Sequence, residues 1–373
     1  MSTEIIMAVI MNLLLLLLSA ALVRSGPSML PLKSFKISGN ATYDCIDIYK
    51  QPGLDHPLLK NHTIQMKPSV SRFEFKNQTD NNKTYKPKIR CPDGTVPILR
   101  NSKEYITKAQ YFQPLSHDHP GAHIVGVRSN NGPFRGIEAW FNGYTLNISK
   151  DQASYSEIYI GSGSDKEVNF IQAGFMINPS IFGDGRVWTY GFWHGKDGKG
   201  CYNTACPGFV QVSHEVPLVE PFDLKPGVPV WLHCSIHQIH KQDKQTENWW
   251  LTFFSKPNVD IGYWPKELFN LINNGANVVG VGGVVQASPS GSSPPMGTGL
   301  FPTGDRRASA MFTNIEALNS NYEQRKISSF HMEKLLDSPN CYGLRIGKVK
   351  PFHRTLLGFF FNYGGPGGNS CGV

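Results

Sequence analysis

Between residues 122 and 318 the chain never runs far without Gly, Pro, Asn or Asp. The pieces between these breaks are short and rich in Val, Ile, Phe, Tyr and Trp. They read AHIVGVRS (122–129), GIEAWFNGYTLNI (136–148), SEIYIGSG (156–163), FIQAGFMI (170–177) and VWTYGFW (187–193). GFVQVS (208–213), VPVWLHCSIHQI (228–239), NWWLTFFS (248–255), GANVVGVGGVVQAS (275–288) and ASAMFTNIEAL (308–318) follow. β-Branched and aromatic residues suit a pleated, half-buried surface, and frequent turn residues cut that surface into many short strands. With 37 Gly, 26 Pro and only 17% charged residues, the composition agrees. An all-β sandwich or barrel is expected. One helix is expected after Pro265, which suits a first helical position, with Trp264, Leu268, Leu271 and Ile272 at helical spacing and Asn273–Gly275 as the stop. Residues 288–299 form a Ser/Pro/Gly loop.

Residues 5–23 are nearly all apolar and start almost at Met1, and small residues follow. That pattern predicts a signal peptide over 1–25 and a secreted chain. Five sequons, at Asn40, Asn61, Asn77, Asn82 and Asn147, suit the same route. The seven cysteines are then expected to be mostly paired, with one left over. Cys234, inside an apolar strand-like run, is the candidate for the free thiol. Residues 71–90 read as a polar linker, and SHDHPG at 116–121 as the entry to the larger domain.

Most chemical motifs are missing. The glycine-rich GSGS (161–164) and GGPGG (364–368) do not match a phosphate loop, and there is no GxSxG elbow. On a strand, His233 and His237 of HCSIHQIH share one face while Cys234 and His240 take the other, which disfavours a metal site. No metal and no cofactor are expected. The net charge of +8 comes without a basic run interleaved with aromatics, so nucleic acid is not an expected partner. CYNTAC suits a tight Cys201–Cys206 loop. For hydrolysis the remaining option is a pair of carboxyl groups dividing acid and base roles. The strand-borne candidates are Glu138, Glu157, Glu167 and Glu316.

Residues 44–69, DCIDIYKQPGLDHPLLKNHTIQMKPS, resemble the activation-peptide domain of plant neprosin-type proteins, and CPDGTVPILR (91–100) continues the likeness. QAGFMINPSIFGD (172–184), GCYNTACPGFVQVS (200–213), NWWLTFF (248–254), GYWPKELF (262–269), MGTGLFP (296–302) and FNYGGPG (361–367) resemble successive blocks of the neprosin catalytic domain. The resemblance implies a precursor domain over 26–112 and a catalytic-type domain over 113–373. It implies an antiparallel β-sandwich of two sheets whose concave cleft the precursor covers. It also implies glutamic-type endopeptidase activity after proline. Disulfides Cys201–Cys206 and Cys341–Cys371 follow from it, and Cys45–Cys91 is left for the precursor. Gly174, Gly280, Gly282, Trp249, Trp250, Tyr263 and Trp264 are the cleft-lining residues it suggests.

The family's peptidases use two glutamates on facing strands. Here the first position is Gln172 and the second is Val284. A glutamine keeps a donor and an acceptor, whereas a valine keeps neither. The expectation is a secreted relative with a degenerate site. Two alternatives stay open: an active post-proline endopeptidase using Gln172 and an unrecognised acid, and a binding module. The partners expected are proline-rich peptide or protein, the chain's own precursor domain, and acidic cell-wall polysaccharide.

Overall fold

The computed structural model describes residues 31–37, 39, 41–68, 88–111, 120–164, 167–222, 224, 230–238, 246–254, 258–303, 305, 308–347 and 358–371. The expected signal peptide, Asn40, Asn77, Asn82, His240 and most of the linker and of SHDHPG lie outside them. Asn61 and Asn147 are both exposed, as glycan acceptors must be.

The N-terminal unit holds β1 (Lys33–Lys36), β2 (Thr42–Asp47), β3 (Thr95–Leu99) and helix α1 (Lys103–Tyr111). Its strands form an antiparallel sheet in the order β1-β2-β3. The larger unit begins with β4 (Ala122–Ser129), β5 (Gly136–Asn142), β6 (Ala153–Ser164), β7 (Glu167–Ile177), the one-turn helix α2 (Pro179–Phe182) and β8 (Val187–His194). It continues through β9 (Gly200–Tyr202), β10 (Val210–Gln211), β11 (Pro221–Phe222), β12 (Trp231–Gln238), β13 (Trp249–Phe254), β14 (Asn258–Trp264) and β15 (Val278–Gln286). β16 (Ala310–Leu318), β17 (Gln324–Lys326), β18 (Met332–Leu336), β19 (Gly343–Ile346) and β20 (Phe360–Gly364) complete it.

Two antiparallel sheets result. The first runs β11-β8-β7-β6-β15-β4-β18, with β9 beside β8. The second runs β10-β14-β13-β12-β5-β16-β20-β19, with β17 beside β16. Period-two alternation sends Ile158, Ile171, Ala173, Phe175, Val281 and Val285 from the first sheet into the space between the sheets. They meet Phe141, Phe312 and Tyr363 of the second, with Phe141 and Phe175 ring centroids 5.5 Å apart. The fold is therefore an antiparallel β-sandwich around one aromatic-rich core. Cys234 lies on the inner face of β12 between Ala139 and Phe253, buried and free, as its apolar context predicts. Cys45–Cys91, Cys201–Cys206 and Cys341–Cys371 are the disulfides.

Two expectations are corrected. The helix after Pro265 is a single 3-10 turn, Lys266–Leu268, with Pro265 as its N-cap. Tertiary partners take the backbone groups a longer helix needs. Lys196 N–H donates to the Leu268 carbonyl at 2.9 Å, and Asn169 Oδ1 accepts from Asn270 N–H at 2.8 Å and Leu271 N–H at 2.9 Å. The aromatic residues suggested for the cleft also lie elsewhere. Trp249 and Trp264 pair across β13 and β14 and join the inter-sheet core. Trp250 and Tyr263 form the neighbouring pair and pack with Leu54 and Ile64 of the N-terminal unit. A strand alternates its side chains between two faces, so the NWWL and GYW blocks each split between core and docking surface.

The N-terminal unit is fastened to the sandwich by apolar packing and by backbone and buried polar groups. Gln51 Nε2 donates to the Gln211 carbonyl at 3.0 Å and Gln51 Oε1 accepts from Gln211 N–H at 2.7 Å. Gly208 N–H donates to the Gly53 carbonyl at 2.9 Å. The Tyr263 hydroxyl meets His62 Nε2 at 2.8 Å and accepts from Gln65 N–H at 2.9 Å. Gly53 is required here by close approach, because a Cβ on it would stand 1.9 Å from the Phe209 carbonyl oxygen. Gly53→Ala is expected to loosen this docking at a cost of about 1–3 kcal/mol, typical of overpacking. Faster proteolysis of the N-terminal unit, with the sandwich itself intact, is the readout.

Candidate functional site

Gln172 and Val284 lie on the outer face of the first sheet, turned away from the inter-sheet core. The register sets their relation. Gln172 on β7 is level with Tyr159 on β6, and Val284 on β15 is level with Tyr155 on β6. β6 runs between them, so the two positions are not on neighbouring strands. Glu157, the residue of β6 midway between Tyr155 and Tyr159, points to the same face.

Glu157 is the chemical centre of this face. Its row across the sheet reads Gly126, Gly282, Glu157, Gly174, Tyr190. Both flanking positions are glycine, so no neighbouring Cβ crowds the carboxyl. The partners come from one strand beyond or one step along. Gln172 Nε2 donates to Glu157 Oε1 at 2.9 Å, and the Tyr190 hydroxyl donates to Oε2. Glu157 is 3% exposed and Gln172 5%. Burial disfavours the charged form and pushes the Glu157 carboxyl up to about 7, against the opposing pull of the Tyr190 and Gln172 hydrogen bonds. A tyrosine wall surrounds it: Tyr155, whose hydroxyl accepts from Asn178 Nδ2 at 3.1 Å, stands 5.6 Å from Tyr190, and Tyr202 stands 6.0 Å from Tyr190.

The second position is apolar in structure as in sequence. Val284 is 2% exposed, in a row with Ile124, Tyr155, Met176 and Trp188. Gly280 does not leave open room over its strand: a Cβ there would meet the Tyr159 ring at 2.3 Å, so Tyr159 fills that space. At Gly282 and Gly174 backbone fills that space: a Cβ on Gly282 would stand 2.5 Å from the Val125 carbonyl oxygen. A Cβ on Gly174 would stand 2.0 Å from the Ser156 carbonyl oxygen, which shows how closely β6 and β7 approach beside Glu157.

The other candidate carboxyls are elsewhere. Glu138 and Glu316 face each other across β5 and β16 on the outside of the second sheet. Burial, then the charge of Glu316, holds Glu138 well above the usual carboxylate range. His233 and His237 share that outer face, as strand alternation predicts, and Cys234 takes the other. Glu167 sits at the start of β7 near Asn270. Among the described residues no group of three or more His, Cys, Asp or Glu is arranged to hold a metal ion.

The N-terminal unit reaches the edge of this face. Asn203, in the Cys201–Cys206 loop, accepts from Gly191 N–H at 3.0 Å next to Tyr190, and its Nδ2 donates to the Tyr105 hydroxyl of α1 at 2.9 Å. The helix is thus one side chain removed from the wall of the Glu157 pocket.

Family models match both parts of the chain. The neprosin activation-peptide model matches residues 34–131, and the neprosin model matches residues 150–366. Among solved structures, the chain is similar to a Scytalido-glutamic peptidase with a peptide-based transition-state analogue, at 10% identity and a TM-score of 0.35, over 66% of this chain and 98% of that one. It is also similar to SCP-B, a member of the eqolisin family of peptidases in complex with the tripeptide Ala-Ile-His, at 10% identity and a TM-score of 0.33, over the same shares. The neprosin match spans more than half of the sequence and carries Glu157, Gln172 and Val284, and on that ground the chain belongs to the neprosin family.

Proposed function

We propose that this chain is a secreted neprosin-family protein that holds proline-containing peptide chains in its cleft without cutting them efficiently. The observation that carries this reading is the carboxyl inventory of the site face. Acid–base hydrolysis by a carboxyl pair needs one group to take a proton while another gives or polarises. Val284 supplies neither role, and Gln172 supplies only an amide. Glu157 remains, with one oxygen on Gln172 and the other on Tyr190. Losing one of two acid–base partners typically lowers rate by about 10²–10⁴-fold.

A second reading has its own observation. Glu157 and Gln172 form a hydrogen-bonded carboxyl–amide pair, and a carboxyl titrating near 7 is poised for proton transfer. In that reading Glu157 is the unrecognised acid of an active endopeptidase. One experiment separates the two. The full chain, and the chain freed of its N-terminal unit by proteolysis, are incubated with a proline-containing peptide and the products weighed by mass spectrometry. The non-cleaving reading expects intact peptide that is retained by the protein. Cleavage that disappears in Glu157→Gln establishes the second reading and overturns the first. Cleavage that survives Glu157→Gln overturns both.

A further inference from the structure

A cavity of about 230 Å³ lies between the N-terminal unit and the α2 end of the site face. Leu99, Asn101 and Tyr105 line it from one side, and Phe182, Arg186 and Trp188 from the other. Trp188 is two residues from Tyr190 on β8 and in the same row as Val284, so the cavity continues the Glu157 face at its Val284 end.

Its floor is an ordered aromatic ledge. The Phe182 and Trp188 rings stack with centroids 4.4 Å apart and planes 5° from parallel. The Arg186 guanidinium lies 4.7 Å from the Trp188 ring. Asp184 fixes both: it accepts from Trp188 Nε1 at 2.9 Å and from Arg186 Nε at 2.9 Å. The N-terminal unit already brings a ring to this ledge, with Tyr105 5.9 Å from Phe182. A polar group waits beside it. The buried Asn101 Oδ1 has no hydrogen-bond partner within the protein, and an acceptor left so is free to take an N–H from an occupant of the cavity.

Charge and size narrow the ligand. The cations around the cavity are neutralised within the protein: Arg100 by Asp44 at 2.6 Å, Lys108 by Glu104 at 2.8 Å and Arg186 by Asp184 at 2.8 Å. An anion therefore gains little there. Drug-sized ligands need about 300–1,000 Å³, so this volume suits one residue rather than a length of chain. A flat ledge favours a flat ring in stacked or edge contact. We propose that the cavity is a subsite for a single aromatic residue of a peptide, with its ring against Phe182, which Trp188 backs, and a backbone N–H donated to Asn101 Oδ1. This extends the peptide-holding reading to one end of the face, and it stands or falls without reference to hydrolysis.

The test uses the full chain and N-acetyl-L-tyrosinamide, followed by tryptophan fluorescence and by chemical-shift changes. The expected result is saturable binding, absent for N-acetyl-L-alaninamide. Asn101→Ala and Phe182→Ala should each weaken it about tenfold or more, with unchanged near-ultraviolet dichroism showing that the variant is folded. If Phe182→Ala does not fold, Asn101→Ala alone decides. No saturable binding, equal binding of the alanine compound, or wild-type affinity in a folded Asn101→Ala protein overturns the subsite. Tyrosinamide binding together with failure of every proline-containing peptide to bind would leave the subsite standing and remove the peptide-holding reading instead.

Discussion

Glu157→Gln should make the protein more stable than wild type at pH 8, by about 3 kcal/mol, and leave it nearly unchanged at pH 4. The sign follows from linkage. The Glu157 carboxyl titrates near 7 in the folded chain, above its ordinary value of 4.5. Between those values the folded state binds the extra proton, so stability falls as pH rises through the window. The gap of about 2.5 units, at 1.36 kcal/mol per unit, sets the size of the loss. Gln keeps the shape and an acceptor for Tyr190 but carries no charge at any pH. The profile of the wild type alone is not diagnostic, because other buried groups titrate too. Burial holds Glu138 above its usual range, which also favours acid, but it lowers His237 to about 4, which favours neutral pH. The difference between variant and wild type cancels these terms. Urea unfolding at closely spaced pH values between 4 and 8 gives that difference directly. A gap that does not grow with pH would show that Glu157 is not the shifted group.

Replacing both Cys45 and Cys91 with Ala should cost about 4 kcal/mol. The bond closes a loop with a sequence separation of 46, and the chain-entropy relation assigns a loop of that length this much restriction of the unfolded state. Both cysteines are buried, Cys45 on the central strand of the small sheet. That sheet has little core of its own beyond Ile48, Val96 and Ile98, so the staple carries a large share of its stability. The N-terminal unit should unfold in a separate, earlier urea transition in the double variant, with the docking contacts at Gln51, Gly53 and Tyr263 lost with it. A single transition at wild-type urea concentration would mean that docking on the sandwich, rather than the disulfide, holds the small domain together.

Much of the frame was legible in the sequence. AHIVGVRS is β4 residue for residue, and ASAMFTNIEAL contains β16 whole. The free cysteine was legible because a lone Cys inside an apolar strand behaves as a small hydrophobe. The helix expected after Pro265 is held to one turn because its backbone groups are claimed by Lys196 and Asn169, more than a hundred residues away in one case. The aromatic blocks at 248–254 and 262–269 resemble catalytic-domain blocks, but such a resemblance does not say which face of a strand lines a cleft.

The site was half legible. Gln172 and Val284 could be read as positions, and Glu157 as one of four candidate carboxyls, but nothing singled it out. A signal did exist. The GSGSDK turn between SEIYIGSG and FIQAGFMI marks a hairpin, and pairing across it sets Glu157 beside Gly174, two residues from Gln172. What no hairpin could show is that β15 comes in on the other side of β6, from more than a hundred residues away. The sequence by itself determined most of the strands and, through the family resemblance, pointed to the disulfides and to Gln172 and Val284 as site positions, because turn residues and motif blocks are local pattern. The tertiary structure alone decided that a carboxyl, Glu157, stands between Gln172 and Val284 and that burial there keeps it protonated well above its ordinary range. The physical reason is that strand order and burial arise from long-range pairing, and these fix both the neighbours of Glu157 and its proton affinity.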